Sequence, residues 1–431
     1  MPAGLLLLVL LLSATWPCSG YSLFTHEEIV DILWLDDIQP MLLQRYPGAT
    51  PEQLRRAHAC AYGGSLVQDI GYYPFANRLF SDLTHCVRSG EFVANLIREA
   101  EDMDEYAFAL GALSHYAGDI AGHPVVNRAV AIYFPRLRAR YGEIVTCADC
   151  HRAHLQAEFG FDITQLAKRR YASQAYHDYI GFEVCTAQLE RAFRRTYGVP
   201  LQEVVPHVDL AVRTFRQAVS RDIPWMARAA LTGRHPERVP EAADDSEALF
   251  LYNLSRTDYA RYWGKESHRA GLLAHVVGWV IRCLPKVGAL DAMGYKVPTP
   301  ETEALFIQSV NEAVAQYRLL LQQVSRGELE FAEMDCDTGL PTAQGEYATS
   351  DQAYARLFAG LVKRGLQEIP PDLRADILDF YAGGEVGLRA QGEGQTWAPK
   401  PAEMEALRAT AGSGVVRRLP GPRPRLCSPK T

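Results

Sequence analysis

The chain has 431 residues, 48% of them hydrophobic and 22% charged, with a formal net charge of -7. That composition belongs to a globular protein with a large core and excludes a chain too polar to fold. Mild acidity supplies no broad attraction to nucleic acid or to an anionic membrane, so any affinity for phosphate must come from a local site.

In chain order, the N-terminus carries the apolar block "GLLLLVLLLSA", a breaker region "TWP" and then "CSG" before Tyr21. This pattern predicts a signal peptide over residues 1–20 and a mature chain starting at Tyr21, secreted or delivered to a periplasm. No Lys or Arg precedes the block, which leaves the α-amino group as its positive charge. Lipidation at Cys18 is the alternative, disfavoured by Trp and Pro at positions where small and aliphatic residues are wanted. Removing Cys18 from the nine cysteines leaves eight, an even number suited to an oxidising compartment.

Apolar residues then recur by threes and fours in "HEEIVDILWLDDIQPMLLQRY", "EFVANLIREAEDMDEYAFALGALSHYAGDI", "RAHLQAEFGFDITQLAKRR", "AYHDYIGFEVCTAQLERAFRRTYG" and "LQEVVPHVDLAVRTFRQAVSRDIPWMARAAL". With no convincing strand alternation, these segments predict an all-α multi-helix bundle. Gly, Pro and Asn in "AYGGSLVQDIGYYPFANRLFSDLTHC" predict a long structured loop between helices. "CADC", from Cys147 to Cys150, reads as a local disulfide or as free thiols, since no second such pair completes a structural zinc site. The Pro- and charge-rich stretch from Thr232 to Glu247 marks a boundary between a first domain, 21–231, and a helical region, 248–410. "DCDTGLPT", from Asp335 to Thr342, reads as a capped turn in preference to a cation site through Asp335 and Asp337. Residues 411–431, rich in Pro, Gly and Arg, read as a disordered tail.

The stretch "ALSHYAGDIAGHP" places His115, Asp119 and His123 four residues apart, on one stripe of a helix. Gly111, Gly118 and Gly122 each weaken that helix by about 1 kcal/mol relative to Ala, which close approach of another backbone or a ligand would explain. Pro124 predicts a kink or a last turn at His123. The triplet alone suits metal binding and a satisfied polar core equally well. "HLQAE" adds His154 and Glu158 at a second chelating spacing, with His151 one turn earlier as a rival ligand. His26, at the start of the mature chain, and Asp69 and His85, in loop-like sequence, complete an ordered series.

That series, His, Asp, His, His-x3-Asp-x3-His and His-x3-Glu, resembles the zinc-dependent phospholipase C family, whose members share an all-helical fold with P1-type nucleases and the catalytic domain of GPI-specific phospholipase D. The resemblance implies three zinc ions at the bottom of a cleft. Two would be held by Tyr21, His26, Asp69, His85, His115 and Asp119, with Asp119 bridging and Tyr21 contributing its amino and carbonyl groups. The third would use His123, His154 and Glu158. The spacing from Asp119 to His123 is four residues. In the bacterial phospholipases C and P1-type nucleases it is six, where this chain has Val125, so the pattern is nearest the GPI-specific phospholipase D.

The implied function is that of an exported zinc-dependent phosphodiesterase, hydrolysing the head-group phosphodiester of phospholipids or glycosylphosphatidylinositol with metal-activated water. Asp69 would be the general base or the carboxylate that orients the water. The implied partners are the lipid substrate and, transiently, the membrane surface. A P1-like single-strand nuclease is disfavoured by the ligand spacing and by the lack of a basic, aromatic-interleaved groove. A non-catalytic helical module that keeps zinc is the reading from outside the enzymes. Tyr72, Tyr73, Phe75 and Phe80, between Asp69 and His85, either pin their loop to the helices or meet substrate, and the first role is preferred.

Overall fold

A single long helix organises the molecule, and its start is set by Asp102, whose carboxylate accepts the Glu105 N–H at 2.9 Å. In the computed structural model, which describes residues 22–233, 292, 294–366, 369–382 and 399–409, the elements that shape the site are α1 (Leu23–Leu33), α2 (Pro51–Gly64), α3 (Arg78–Cys86), α4 (Met103–Tyr133), α5 (Cys147–Ala167), α6 (Pro300–Ser325) and two short antiparallel strands, β1 (Met334–Asp335) and β2 (Leu340–Pro341). Helices otherwise account for nearly all regular structure among the described residues, as an all-α fold requires.

Helix α4 is buried around most of its circumference over Tyr106–Asp119, which makes it the central pillar. Its glycine interruptions have a packing cause. A β-carbon on Gly111 would stand 2.0 Å from the Ala61 carbonyl oxygen, and one on Gly64 would stand 1.9 Å from that of Phe108. Helices α2 and α4 therefore cross in backbone contact, each supplying a glycine to the other. On another face α6 lies along α4, where the Tyr317 hydroxyl donates to the Leu110 carbonyl at 2.8 Å. Buried apolar residues from Leu23 to Leu407 form one continuous cluster, so the helices after residue 300 share the core of those before 233.

The structure changes several expectations. Of the kink and the last turn expected at His123, the last turn is ruled out, because helix α4 runs on through Pro124 to Tyr133. A proline removes one N–H, so the Ile120 carbonyl is left without its helical donor while the helix continues. The expected loop around Asp69 is largely helical: α2 continues through Gly63 and Gly64, a 3₁₀ turn spans Val67–Tyr72, and α3 begins at Asn77, whose side chain accepts the Leu79 N–H. The glycines there permit helix crossing instead of breaking the helix. Cys147 is disulfide-bonded while Cys150 is a free thiol, so the two cysteines of "CADC" do not bond to each other. Apart from residues 232 and 233, the boundary at 232–247 lies outside the described residues, as do the first 21 residues and the tail.

Candidate metal centre

Four elements bring the first group of side chains together. His115 and Asp119 point inward from α4, His85 comes from the last turn of α3, Asp69 from the 3₁₀ turn and His26 from α1, and none is more than 2% exposed. The Ser81 hydroxyl donates to the Gln68 carbonyl at 2.5 Å and accepts the Gly71 N–H, locking the turn that carries Asp69 to the helix that carries His85. The imidazole of His26 lies over Gly118, where a β-carbon would meet it in ordinary contact at 3.4 Å, and that ring stacks on His115 with centroids 4.4 Å apart.

Backbone carbonyls fix the tautomers. His85 Nδ1 lies 2.8 Å from the Ser81 oxygen and His115 Nδ1 lies 2.9 Å from that of Ser65. A carbonyl only accepts, so both Nδ1 atoms carry hydrogen and both Nε2 lone pairs face inward. They stand 3.1 Å apart, with Asp119 Oδ2 at 3.1 Å from His115 Nε2 and 3.3 Å from His85 Nε2, and Asp69 Oδ1 at 3.4 Å from His85 Nε2. Three lone-pair donors, from His85, His115 and Asp119, converge on one dry point beside Asp69 and suit a cation. The other oxygen, Asp119 Oδ1, lies 3.3 Å from His26 Nε2, which is the geometry of a carboxylate that bridges two positions.

Proton affinities in this group follow the same demand for positive charge. Burial lowers the imidazole pKa of His85, but hydrogen bonds to Asp119 and Asp69 overcome it and hold the ring well above its ordinary value. Burial likewise opposes, and the Asp119 and Asp69 charges reverse, the shift at His115. Asp119 sits well below the usual carboxylate range, because His115 and His123 outweigh the effect of burial. His26 goes the other way, lowered by burial and by its neighbour His115.

A second group adjoins the first. His123 lies one turn further along α4, its Nδ1 3.8 Å from Asp119 Oδ2, and α5 contributes His154 and Glu158. His154 Nδ1 is 2.5 Å from Glu158 Oε1, and His154 Nε2 is 2.7 Å from Asn127 Oδ1. The amide orientation of Asn127 is set independently, since its Nδ2 donates to the Asp337 carbonyl at 3.1 Å. Oδ1 must therefore accept a hydrogen from His154 Nε2, leaving Nδ1 unprotonated against the carboxylate. Burial pushes the His154 pKa down to about 4, so a metal cation, and not a second proton, is the natural occupant between His154 and Glu158 near neutral pH. His151 is turned elsewhere, half-buried with its Nδ1 3.6 Å from Cys147 Sγ.

A narrow cleft reaches both groups. Asp69 and Glu158 form its polar end, and Leu23, Leu66, Tyr73, Leu155, Phe159, Ile223 and Met226 line its walls. Of the four aromatics weighed from sequence, Phe80 is core, stacked on Phe193; Tyr72 and Tyr73 are buried; Phe75 is 55% exposed. Tyr21 lies outside the described residues, but Ser22 and Leu23 line the cleft. The buried carboxylate of Asp162 accepts the Phe24 N–H at 2.9 Å and the Thr25 hydroxyl at 2.6 Å, so α1 enters the site at a fixed place.

Sequence reasoning overlooked Asn127, although it stands four residues after His123, the same interval that flagged Asp119. It also overlooked Asp162, four residues after Glu158. Asp337 enters the sequence reading only with Asp335, as a capped turn preferred over a separate cation site, and not as a partner of His123. Zinc suits the donor set well: imidazole nitrogen and carboxylate oxygen, in compact buried groups of three.

Residues 25–204 match the family model described as zinc dependent phospholipase C. No curated protein and no solved structure matches the chain.

Proposed function

We propose that this chain, whose residues 25–204 match the zinc dependent phospholipase C family model, is an exported phosphodiesterase of that family that cleaves the head-group phosphodiester of a phospholipid or a glycosylphosphatidylinositol. The observation that carries the reading is the pair of inward-facing Nε2 lone pairs of His85 and His115, 3.1 Å apart beside the bridging carboxylate of Asp119. In it, His26, Asp69, His85, His115 and Asp119 hold two zinc ions together with the amino and carbonyl groups of Tyr21, and His123, His154 and Glu158 hold a third. Bound zinc would supply Lewis acidity toward the phosphoryl oxygens and an acidified water as nucleophile.

The remaining work falls to the chain itself. Asp69 stands both at the first group and at the cleft, where its carboxylate can orient the attacking water and accept its proton. The apolar walls exclude bulk water from the polar end and present an apolar lining beside the scissile bond. That wall chemistry favours a lipid over a polynucleotide, which would need a basic track with stacking rings. Phe75 and Trp225, 55% and 44% exposed, lie beside the cleft-lining Tyr73 and Ile223 and are suited to touching a membrane surface. The Thr214 hydroxyl donates to the Pro74 carbonyl at 2.7 Å and ties the residue before Phe75 to the helix Val208–Gln217.

The decisive test measures zinc per chain in the mature protein and then hydrolysis of phosphatidylcholine, a GPI-anchored reporter and single-stranded DNA side by side. Two to three zinc ions and turnover of a lipid substrate are expected. Fewer than two zinc ions in a folded sample, or turnover of DNA alone, would overturn the reading. One extra residue ahead of Tyr21 should lower zinc content and activity together, and an unaffected enzyme would remove Tyr21 from the ligand set.

A further inference from the structure

Three imidazoles of the centre are held from behind. His85 Nδ1 donates to Ser81, His115 Nδ1 to Ser65 and His154 Nε2 to Asn127, so each ring presents its other nitrogen inward. His123 stands apart, fully buried with neither ring nitrogen in a hydrogen bond. Facing it is a second unsatisfied group. Asp337 Oδ1 is buried, receives no hydrogen bond and lies 3.9 Å from His123 Nε2.

The structure assigns Asp337 to the metal centre as the carboxylate that positions His123, accepting its Nε2–H and leaving Nδ1, on the Asp119 side, to ligate. This inference rests on the zinc reading above and extends the site to a residue beyond the family match, which ends at 204. The two orphaned groups are complementary. A buried carboxylate oxygen without a donor is costly, and an imidazole that ligates zinc gains basicity and a fixed ring from a carboxylate on its other nitrogen. Closing 3.9 Å to the roughly 2.8 Å of a charged hydrogen bond needs about 1 Å of side-chain movement.

The segment that carries Asp337 is built to hold it there. Its Oδ2 accepts the Tyr347 hydroxyl at 3.0 Å, and its backbone carbonyl accepts from Asn127, the residue that orients His154. Asp335 Oδ1 accepts the N–H groups of Asp337 and Thr338, which fixes the turn, and Cys336 N–H donates to the His85 carbonyl at 3.0 Å. Gly339 adopts φ +70° and presses on α4, where a β-carbon would come within 2.6 Å of the Ile120 oxygen and 2.8 Å of Pro124. The turn thus docks where Pro124 leaves a carbonyl of α4 without its helical donor. Through Cys336, Asp337 and Gly339 it touches the helices that carry His85, His123 and Asn127.

The test titrates the full-length, zinc-loaded protein with a chelator and compares Asp337→Asn, Asp337→Ala and Asp337→Glu with Tyr347→Phe, which removes the other side-chain contact of Asp337 but leaves Oδ1. Loss of Oδ1 charge in Asp337→Asn should weaken one zinc per chain by about 10–100-fold, with the others unchanged. Asp337→Ala should weaken it at least as much, Asp337→Glu should recover part of the loss, and Tyr347→Phe should stay near wild type. Cobalt substituted for zinc should show an altered visible spectrum at one site in the Asn variant. Wild-type zinc affinity and cobalt spectrum in Asp337→Asn would overturn the inference and leave the zinc reading standing. A wild-type protein that holds no zinc would overturn both.

Discussion

The two halves of the metal centre are supported differently. Around the first, the rings of His85 and His115 are oriented by main-chain carbonyls of Ser81 and Ser65. Around the second, His154 is oriented by the side chain of Asn127, and Asn127 is itself oriented by the main chain of Asp337, more than 200 residues away. A carbonyl cannot be substituted away, so the first half is robust to side-chain change except at its ligands. The second half depends on side chains that single substitutions can remove.

The largest break is expected at the residue the halves share. Asp119 Oδ2 faces His85, His115 and, at 3.8 Å, His123, while Oδ1 faces His26. Asp119→Asn should lower zinc content at more than one position and cut hydrolysis by about a thousandfold, the equivalent of about 4 kcal/mol of transition-state stabilisation by metal. Zinc analysis alongside initial rates checks it, and an active Asn variant would end the bridging assignment. Next in size is a route to the carbonyl-supported half through the backbone. Gly111→Ala drives a methyl to within 2.0 Å of the Ala61 oxygen and 2.9 Å of the Ser65 nitrogen, beside the carbonyl that holds His115. Forcing α2 and α4 apart should cost about 1–3 kcal/mol or more in stability, seen as a lower Tm, with zinc weakened at the first half before the second.

Asn127→Ala is the counterpart on the other side. It frees the His154 tautomer and should weaken zinc held by His123, His154 and Glu158 by about 10–100-fold while leaving the first half near wild type. Chelator titration resolves the two. Equal loss at both halves would show that they are not separately supported.

What could be read from the sequence followed from the same contrast. Ligands on one helix announce themselves through a four-residue interval, as His115, Asp119 and His123 do, and as His154 and Glu158 do on α5. The all-α fold was legible from apolar periodicity that recurs along the chain. Asp69 and His85 were placed in a loop because glycine was read as a breaker, whereas Gly64 is there to admit the Phe108 carbonyl. Pro124 suggests a kink or a last turn from sequence alone, because the tertiary packing that carries α4 past it has no local signature. Asp337 was beyond reach, since only the folded chain brings the hairpin at residue 335 to the flank of α4.

The effect furthest from the metal ligands concerns the anchor of α1, which presents His26. Burial raises the carboxyl of Asp162 from 3.8 to about 6, against the opposing pull of the Thr25 and Phe24 donors. Between those values the folded protein keeps the proton and the unfolded chain releases it, so raising pH through the window favours unfolding. The effect is at most about 3 kcal/mol and is complete above pH 6. Asp162→Asn cannot ionise, but it has one carbonyl oxygen where the carboxylate uses two, so it loses either the Phe24 N–H or the Thr25 hydroxyl. The variant should therefore be less stable than wild type near pH 4, with the difference shrinking as pH rises to 7. Urea melts at pH 4, 5, 6 and 7 measure this difference directly. A stability difference independent of pH would mean that Asp162 is ionised in the fold throughout, and that α1 is held by a charged carboxylate.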